Sequence, residues 1–293
     1  MYLFRFADAD GTPRLGIEDD GGGRYDASAI LPEVFASVGT WLASLDPLGA
    51  ADTVVRVGSD ERRAGATFYV PPGVTLLAPV DTSEVWASGV TYERSKSARM
   101  DESKESGGGD FYDRVYDADR PELFFKSAGW RVVGPGGAVR VRRDSAWNVP
   151  EPEMVLVLSA CGEIVGVTAG NDVSSRSIEG ENPLYLPQAK TYDGACALGP
   201  VILLAPGDLS ALSVTLAIRR GGATVFAGET STAKMKRTPE ELAGWLFRAT
   251  AFPHGAFLFT GTGIIPEDAF TLQSGDDVSI TLGGVPTLTN PVA

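Results

Sequence analysis

Short runs in which apolar and polar residues alternate dominate this chain, and helical spacing is confined to a few places. Tyr2 to Phe6 and Arg14 to Glu18 flank the turn-rich Asp8-Ala9-Asp10-Gly11-Thr12-Pro13, which predicts a hairpin. Leu31 to Leu45 carries Val34, Phe35, Val38, Trp41, Leu42 and Leu45 at helical intervals and predicts one amphipathic helix. Pro71-Pro72-Gly73 marks a turn before Val74 to Leu77. From about Arg131 the chain turns strand-rich. Val139 to Arg142, Met154 to Leu158, Glu163 to Ala169, Val201 to Leu204, Ser213 to Arg219, Ala223 to Ala227, Ala256 to Thr260 and Asp277 to Leu282 show β-branched or alternating runs, punctuated by Gly, Pro and Asp. A single clear helix interrupts them. Thr238-Pro239-Glu240-Glu241 reads as its capping box, with Leu242, Trp245, Leu246 and Ala249 as the buried stripe.

One stretch departs from both patterns. Glu93 to Asp110 is strongly charged, ends in Ser106-Gly107-Gly108-Gly109 and offers almost no core-forming side chains. It predicts a solvated helix followed by a flexible loop. Residues 93–119 could serve as a mobile lid between ordered regions, or form a plain surface excursion. The expected class is α+β, mostly β, with a small α+β domain over residues 1–75 and a β-rich domain over 76–293.

Composition narrows the partners. A net charge of −13 argues against a phosphate-neutralising nucleic-acid binder. No apolar run approaches bilayer length, and charge sits where a signal peptide would be apolar, so no membrane partner and a cytoplasmic location are expected. Cys161 and Cys196 lack metal or redox spacing and read as small buried hydrophobes. The lone His254 argues against a hydrolytic triad and a zinc site.

The chemistry concentrates in acidic residues. Glu151 and Glu153, in Pro150-Glu151-Pro152-Glu153, lie two apart at the start of an apolar strand and so share a face. Asp172, in Gly170-Asn171-Asp172-Val173-Ser174-Ser175-Arg176, ends the next strand. Three convergent carboxylates form an all-oxygen site for a hard divalent cation: Mg²⁺ foremost, with Ca²⁺ or Mn²⁺ as the others of that type. Taken singly, Lys190 reads as a surface charge, the Thr260-Gly261-Thr262-Gly263 turn as a weak anion cradle, and Arg120 to Lys126 as a strand with solvated ends.

Together these segments resemble the fumarylacetoacetate hydrolase family, over roughly residues 75–293. The Glu-x-Glu pair, the Gly-Asn-Asp-Val-Ser-Ser-Arg motif, Gln188-x-Lys190-x-Tyr192-Asp193 and the Gly-Thr turn follow the family's order. The resemblance implies a mixed β-roll with a divalent metal at its mouth, held by Glu151, Glu153 and Asp172. It also implies Lys190 beside metal and substrate, substrate contacts from Thr262, Arg176, Gln188 and Ser88, and a homodimer or homotetramer. Arg120 to Ser127 and Ile178 to Gln188 look like the family's 2-dehydro-3-deoxy-D-arabinonate dehydratase branch, in which Glu122 and Lys190 become the catalytic pair. The carbon–carbon hydrolases of the family use a lid His–Glu dyad, and residues 93–119 hold no histidine.

The resemblance therefore implies a metal-dependent hydro-lyase. Its small-molecule substrate would be a 2-keto-3-deoxy sugar acid, 2-dehydro-3-deoxy-D-arabinonate or a related pentonate. Such a substrate would lose a C3 proton through a metal-stabilised enolate, then water, to give 2,5-dioxopentanoate. A carbon–carbon bond hydrolase of an acylpyruvate or fumarylacetoacetate-like diketo acid is the alternative. The third reading is a non-enzymatic β-rich ion-binding protein.

Overall fold

The computed structural model describes residues 1–63, 68–102 and 109–293. The expected hairpin forms from β1 (Tyr2–Ala7) and β2 (Pro13–Glu18), and β3 (Arg24–Asp26) pairs with β2. The helix expected over Leu31 to Leu45 does not form as one piece. Asp26 caps α1 (Ala27–Ile30), which stops before Pro32, where a residue preceding proline disfavours helix. Ser37 and Thr40 then form a capping box that starts α2 (Val38–Leu42), and Leu45 is left exposed. A longer helix that the polar sequence did not suggest, α3 (Pro47–Arg63), buries Ala51 and Val54.

The strands that carry the site come next. They are β4 (Leu76–Leu77), β5 (Glu84–Gly89), β6 (Glu122–Ala128), β7 (Asn148–Val149), β8 (Pro152–Leu158), β9 (Ile164–Asp172), β10 (Ser174–Ser175) and β11 (Cys196–Leu204). Of the expected strand Val139 to Arg142, only a bridge from Val139 to Val292 is present. Arg142 is half-buried, pairing with Asp144 at 2.6 Å and donating to the Gln188 carbonyl. The remaining strands are β12 (Ser213–Arg220), β13 (Ala223–Ser231), β14 (Ala256–Phe259), β15 (Asp276–Leu282) and β16 (Leu288–Pro291).

Ten strands make one sheet in the order β3-β2-β1-β11-β9-β8-β14-β5-β6, with β4 paired to β1 off this path. All its pairings are antiparallel except β14 with β5. A second sheet runs β13-β12-β15-β16. The central strand β8 is buried on both faces. Met154, Leu156 and Leu158 pack into a core shared with Leu216, Ile218, Val278 and Ile280 of the second sheet. Val155 and Val157 face the opposite core, with Leu3, Ile17, Phe35, Trp41 and Val54. Period-two alternation thus serves two cores at once.

Four helices sit around one end of this sheet. They are α4 (Glu93–Glu102), α5 (Gly109–Asp117), α6 (Arg176–Glu181) and α7 (Leu186–Lys190). The expected helix after Thr238 is α8 (Pro239–Leu246), and the Thr238 hydroxyl accepts from the Glu241 amide. The glycine-rich loop expected around Ser106 lies largely outside the described residues. Of the two cysteines, Cys196 is buried as expected, whereas Cys161 is exposed. It sits in the turn from Ser159 to Glu163 that closes the β8–β9 hairpin, where no core reaches it. No helix among the described residues is long and apolar enough to cross a membrane.

Candidate active site

Adjacent strand ends assemble the site. β8 and β9 pair with Glu153 opposite Gly170, which brings Asp172 beside Glu151 and Glu153. Glycine at 170 is required by space, because a Cβ there would stand 2.4 Å from the Phe259 ring and 2.5 Å from Val155. Glu151, Glu153 and Asp172 are 5%, 2% and 1% exposed, and each offers an oxygen within 4.8 Å of the others. Three carboxylates so placed repel one another and need buried cations.

The chain supplies them from three directions. Lys190, at the end of α7, places Nζ 2.6 Å from Glu151, 3.2 Å from Asp172 and 2.5 Å from the Ser174 hydroxyl. Arg176, at the start of α6, donates to Glu151 at 2.7 Å. Lys126, from β6, pairs with Asp172 and donates to the carbonyls of Lys190 at 2.5 Å and Val173 at 3.2 Å. Glu179, buried on α6, lies 3.0 Å from Arg99, 3.5 Å from Lys190 and 3.8 Å from Arg176.

This field sorts the carboxyls. Burial alone would raise Glu151, but Lys190 and Arg176 outweigh it and hold the carboxyl well below its ordinary pKa. Burial, reinforced by Asp172 and Glu151, pushes Glu153 well above the usual carboxylate range, against the Gly261 amide that donates to it at 2.5 Å. Burial would lower Lys190, yet Asp172, Glu151 and Glu179 raise it above its ordinary value, so it stays charged.

Glu122 stands on β6 opposite Gly89 of β5. The residue is partly exposed, but Oε2 is enclosed and accepts no hydrogen bond from the described residues. Burial, reinforced by Glu179 and opposed by Arg99, raises its pKa above the ordinary glutamate value. A Cβ at position 89 would stand 1.9 Å from Glu122 Oε2, so glycine there gives the carboxylate its place.

The cavity between these groups is lined by Ser88, Gly89, Ser95, Arg99, Phe124, the acidic triad, Arg176, Lys190, Gly261 and Thr262. Its free volume is about 10 Å³, room for about one water, so a keto acid enters only when part of this wall moves. Ser88 Oγ is buried and without a hydrogen-bond partner among the described residues. Thr262, 3% exposed, shares hydrogen bonds of 3.2 Å with Ile264. A larger groove of about 560 Å³, lined by Arg5, Asp81 and Trp130 among others, lacks such convergence. Its Asp81 carboxylate is committed to the Val38 and Gly39 amides.

With Glu122 just behind Gly89 of the wall, Lys190, Thr262, Arg176, Ser88 and the acidic triad are thus brought to one cavity. Gln188 is not. It is exposed on α7 and outside the cavity wall, because α7 turns Ala189 and Lys190 inward instead. The sequence marks none of Lys126, Glu179, Ser95 and Arg99 as a site residue. The solvated helix expected within Glu93 to Asp110 forms as α4 and buries Ser95 and Arg99, which stand four apart on the cavity face.

The pattern Fumarylacetoacetate (FAA) hydrolase C-terminal matches residues 84–293, which includes every strand and helix lining this cavity. The chain belongs to the fumarylacetoacetate hydrolase family. Among relatives in that family is a probable 2-keto-3-deoxyxylonate dehydratase from Haloferax volcanii. It is 51% identical over 217 residues, 73% of each chain. A 2-dehydro-3-deoxy-D-arabinonate dehydratase from Saccharolobus solfataricus is 44% identical over 222 residues, 75% of this chain and 74% of its own. A solved 2-keto-3-deoxy-D-arabinonate dehydratase, complexed with magnesium and 2,5-dioxopentanoate, superposes with a TM-score of 0.78 at 34% identity. That match covers 100% of this chain and 98% of the other. Within the fumarylacetoacetate hydrolase fold, the buried oxygen-only triad suits a hard divalent cation, whose charge would relieve the mutual repulsion of the three acids.

Proposed function

We propose that this protein is a Mg²⁺-dependent hydro-lyase that dehydrates a 2-keto-3-deoxy pentonate, 2-dehydro-3-deoxy-D-arabinonate or a close relative, to 2,5-dioxopentanoate. The observation that carries the reading is the convergence of the acidic triad and charged Lys190 on one small cavity, with enclosed Glu122 close enough to feel the charges of Lys190 and Glu151. Relatives and a solved neighbour named for this chemistry support it.

Glu151, Glu153 and Asp172 would hold the cation. When bound, it supplies Lewis acidity at the substrate's carboxylate and 2-keto group, making the C3 hydrogens acidic. Glu122 accepts a C3 proton on its enclosed carboxylate. Lys190, kept charged by its three acidic neighbours, supplies positive charge as the C4 hydroxyl leaves with a proton as water. The unsaturated product then isomerises to 2,5-dioxopentanoate. Thr262 and the Gly261 turn hold the carboxylate end, Ser88 offers its hydroxyl, and Arg176 braces Glu151 from behind.

The test is direct. The protein is incubated with 2-keto-3-deoxy pentonates and hexonates, with Mg²⁺ or with chelator, and the product is weighed by mass spectrometry. A Mg²⁺-dependent product lighter by one water is expected. Pyruvate-type fragments would instead establish the carbon–carbon hydrolase.

A further inference from the structure

α4 begins next to the turn that receives the substrate carboxylate. The Thr91 hydroxyl donates to the Thr260 carbonyl at 2.6 Å, and the Tyr92 ring packs so close to Gly263 that a Cβ there would stand 2.7 Å from it. From that anchor the helix runs along the cavity, and Arg99 lies eight residues further on, about 12 Å at helical rise. Its guanidinium is buried in the wall and meets Glu179 at 3.0 Å. Arg99 thus lines the same cavity as Thr262, two helical turns along α4, and its charge is balanced by buried Glu179, which also faces Lys190 and Arg176.

We propose that the Arg99–Glu179 pair is the specificity element for the substrate's far end, admitting a neutral hydroxylated tail and rejecting a second carboxylate. The inference rests on the dehydratase reading, which puts the C1 carboxylate at the Thr262 turn. A hydroxyl satisfies both members of the pair, accepting from Arg99 and donating to Glu179. A carboxylate can accept from Arg99 only by lying against Glu179, and like charges in a desolvated wall repel strongly. Discrimination of this kind comes from the repulsive member as much as from the attractive one.

Two five-carbon probes that differ only at C5 read the proposal: 5-hydroxy-2-oxopentanoate and 2-oxoglutarate. Their affinities are measured by titration calorimetry on the full chain with saturating Mg²⁺. The wild type is expected to bind the hydroxy acid at least about tenfold more tightly. Glu179→Gln removes the repulsive carboxylate and should bring the ratio to about one or invert it. Arg99→Met should weaken the hydroxy acid about tenfold while leaving Mg²⁺ binding alone unchanged, and Arg99→Lys should restore part of the loss. Wild-type binding of 2-oxoglutarate as tightly as the hydroxy acid overturns the proposal, as does an Arg99→Met protein with unaltered affinity for both probes. If Glu179→Gln does not fold, the wild-type ratio and the Arg99 variants still decide. Failure of the dehydratase reading shows separately, as the lack of any dehydrated product from the pentonate.

Discussion

At the scale of single residues, Glu122, the proposed base, is the group on which turnover should depend most directly. Glu122→Gln keeps the shape and removes the base. It should leave calorimetric Mg²⁺ affinity intact and lower kcat by about 10²–10⁴-fold, the range for loss of one general base. A near-normal kcat would remove Glu122 from the mechanism. Gly89 offers a subtler test of the same carboxylate. An alanine methyl there would stand 1.9 Å from Oε2 and 2.7 Å from the carboxyl carbon, so the carboxylate must swing away. Gly89→Ala should therefore cost about 10²-fold in kcat, as ångström-scale misplacement of a catalytic group does. Steady-state kinetics beside a Mg²⁺ titration checks it, because the acidic triad stays untouched.

At the scale of elements, the site is held by pieces that a sequence presents as unrelated. β8 and β9 were legible because β-branched apolar runs close together in the chain read as neighbouring strands, and their pairing brings Glu153 and Asp172 together. Lys126 was not. In Leu123-Phe124-Phe125-Lys126 it reads as a charge at a solvated strand end, yet it is 1% exposed and ties β6 to the end of β9 and to the last carbonyl of α7. Nothing local encodes that, since its partners lie 46 and more positions away. Arg99 was hidden for the opposite reason: its helix is polar on every side, so no apolar stripe marks the face that turns inward. Lys126→Met should leave Asp172 and two carbonyls poorly compensated, costing about 3–5 kcal/mol in urea denaturation. Mg²⁺ affinity should fall about 10–100-fold through loss of ligand support. A second tie, between β12 and β15, predicts acid behaviour. Arg220 holds buried Asp276 at 2.6 Å and 2.8 Å and, against the upward push of burial, keeps its carboxyl below the ordinary value. A depressed folded-state pKa contributes stability that is present above about pH 4 and lost as pH falls through the folded value. Arg220→Met should be less stable at neutral pH and lose less on acidification, as thermal melts from pH 7 to 3 would show.

At the scale of the whole molecule, metal binding and folding should be one equilibrium. The three carboxylates occupy the ends of two strands sandwiched between both hydrophobic cores, so unfolding either core scatters them. An unfolded chain has no such cluster, and a cation that binds only the folded state stabilises it by mass action, about 2.7 kcal/mol at a hundredfold excess over Kd. Mg²⁺ should therefore raise Tm in proportion to the logarithm of its concentration. A net charge of −13 means that any salt relieves some repulsion, so equal ionic strength from NaCl is the required control. Glu153→Ala should abolish the Mg²⁺-specific rise while keeping the NaCl response, and should itself melt higher than wild type in chelator because one buried carboxylate is gone. Glu122→Gln should keep the full Mg²⁺ response, since Glu122 stands outside the acidic triad. If Glu153→Ala melts with an undiminished Mg²⁺ increment, the ion is held elsewhere and the acidic triad is not its site.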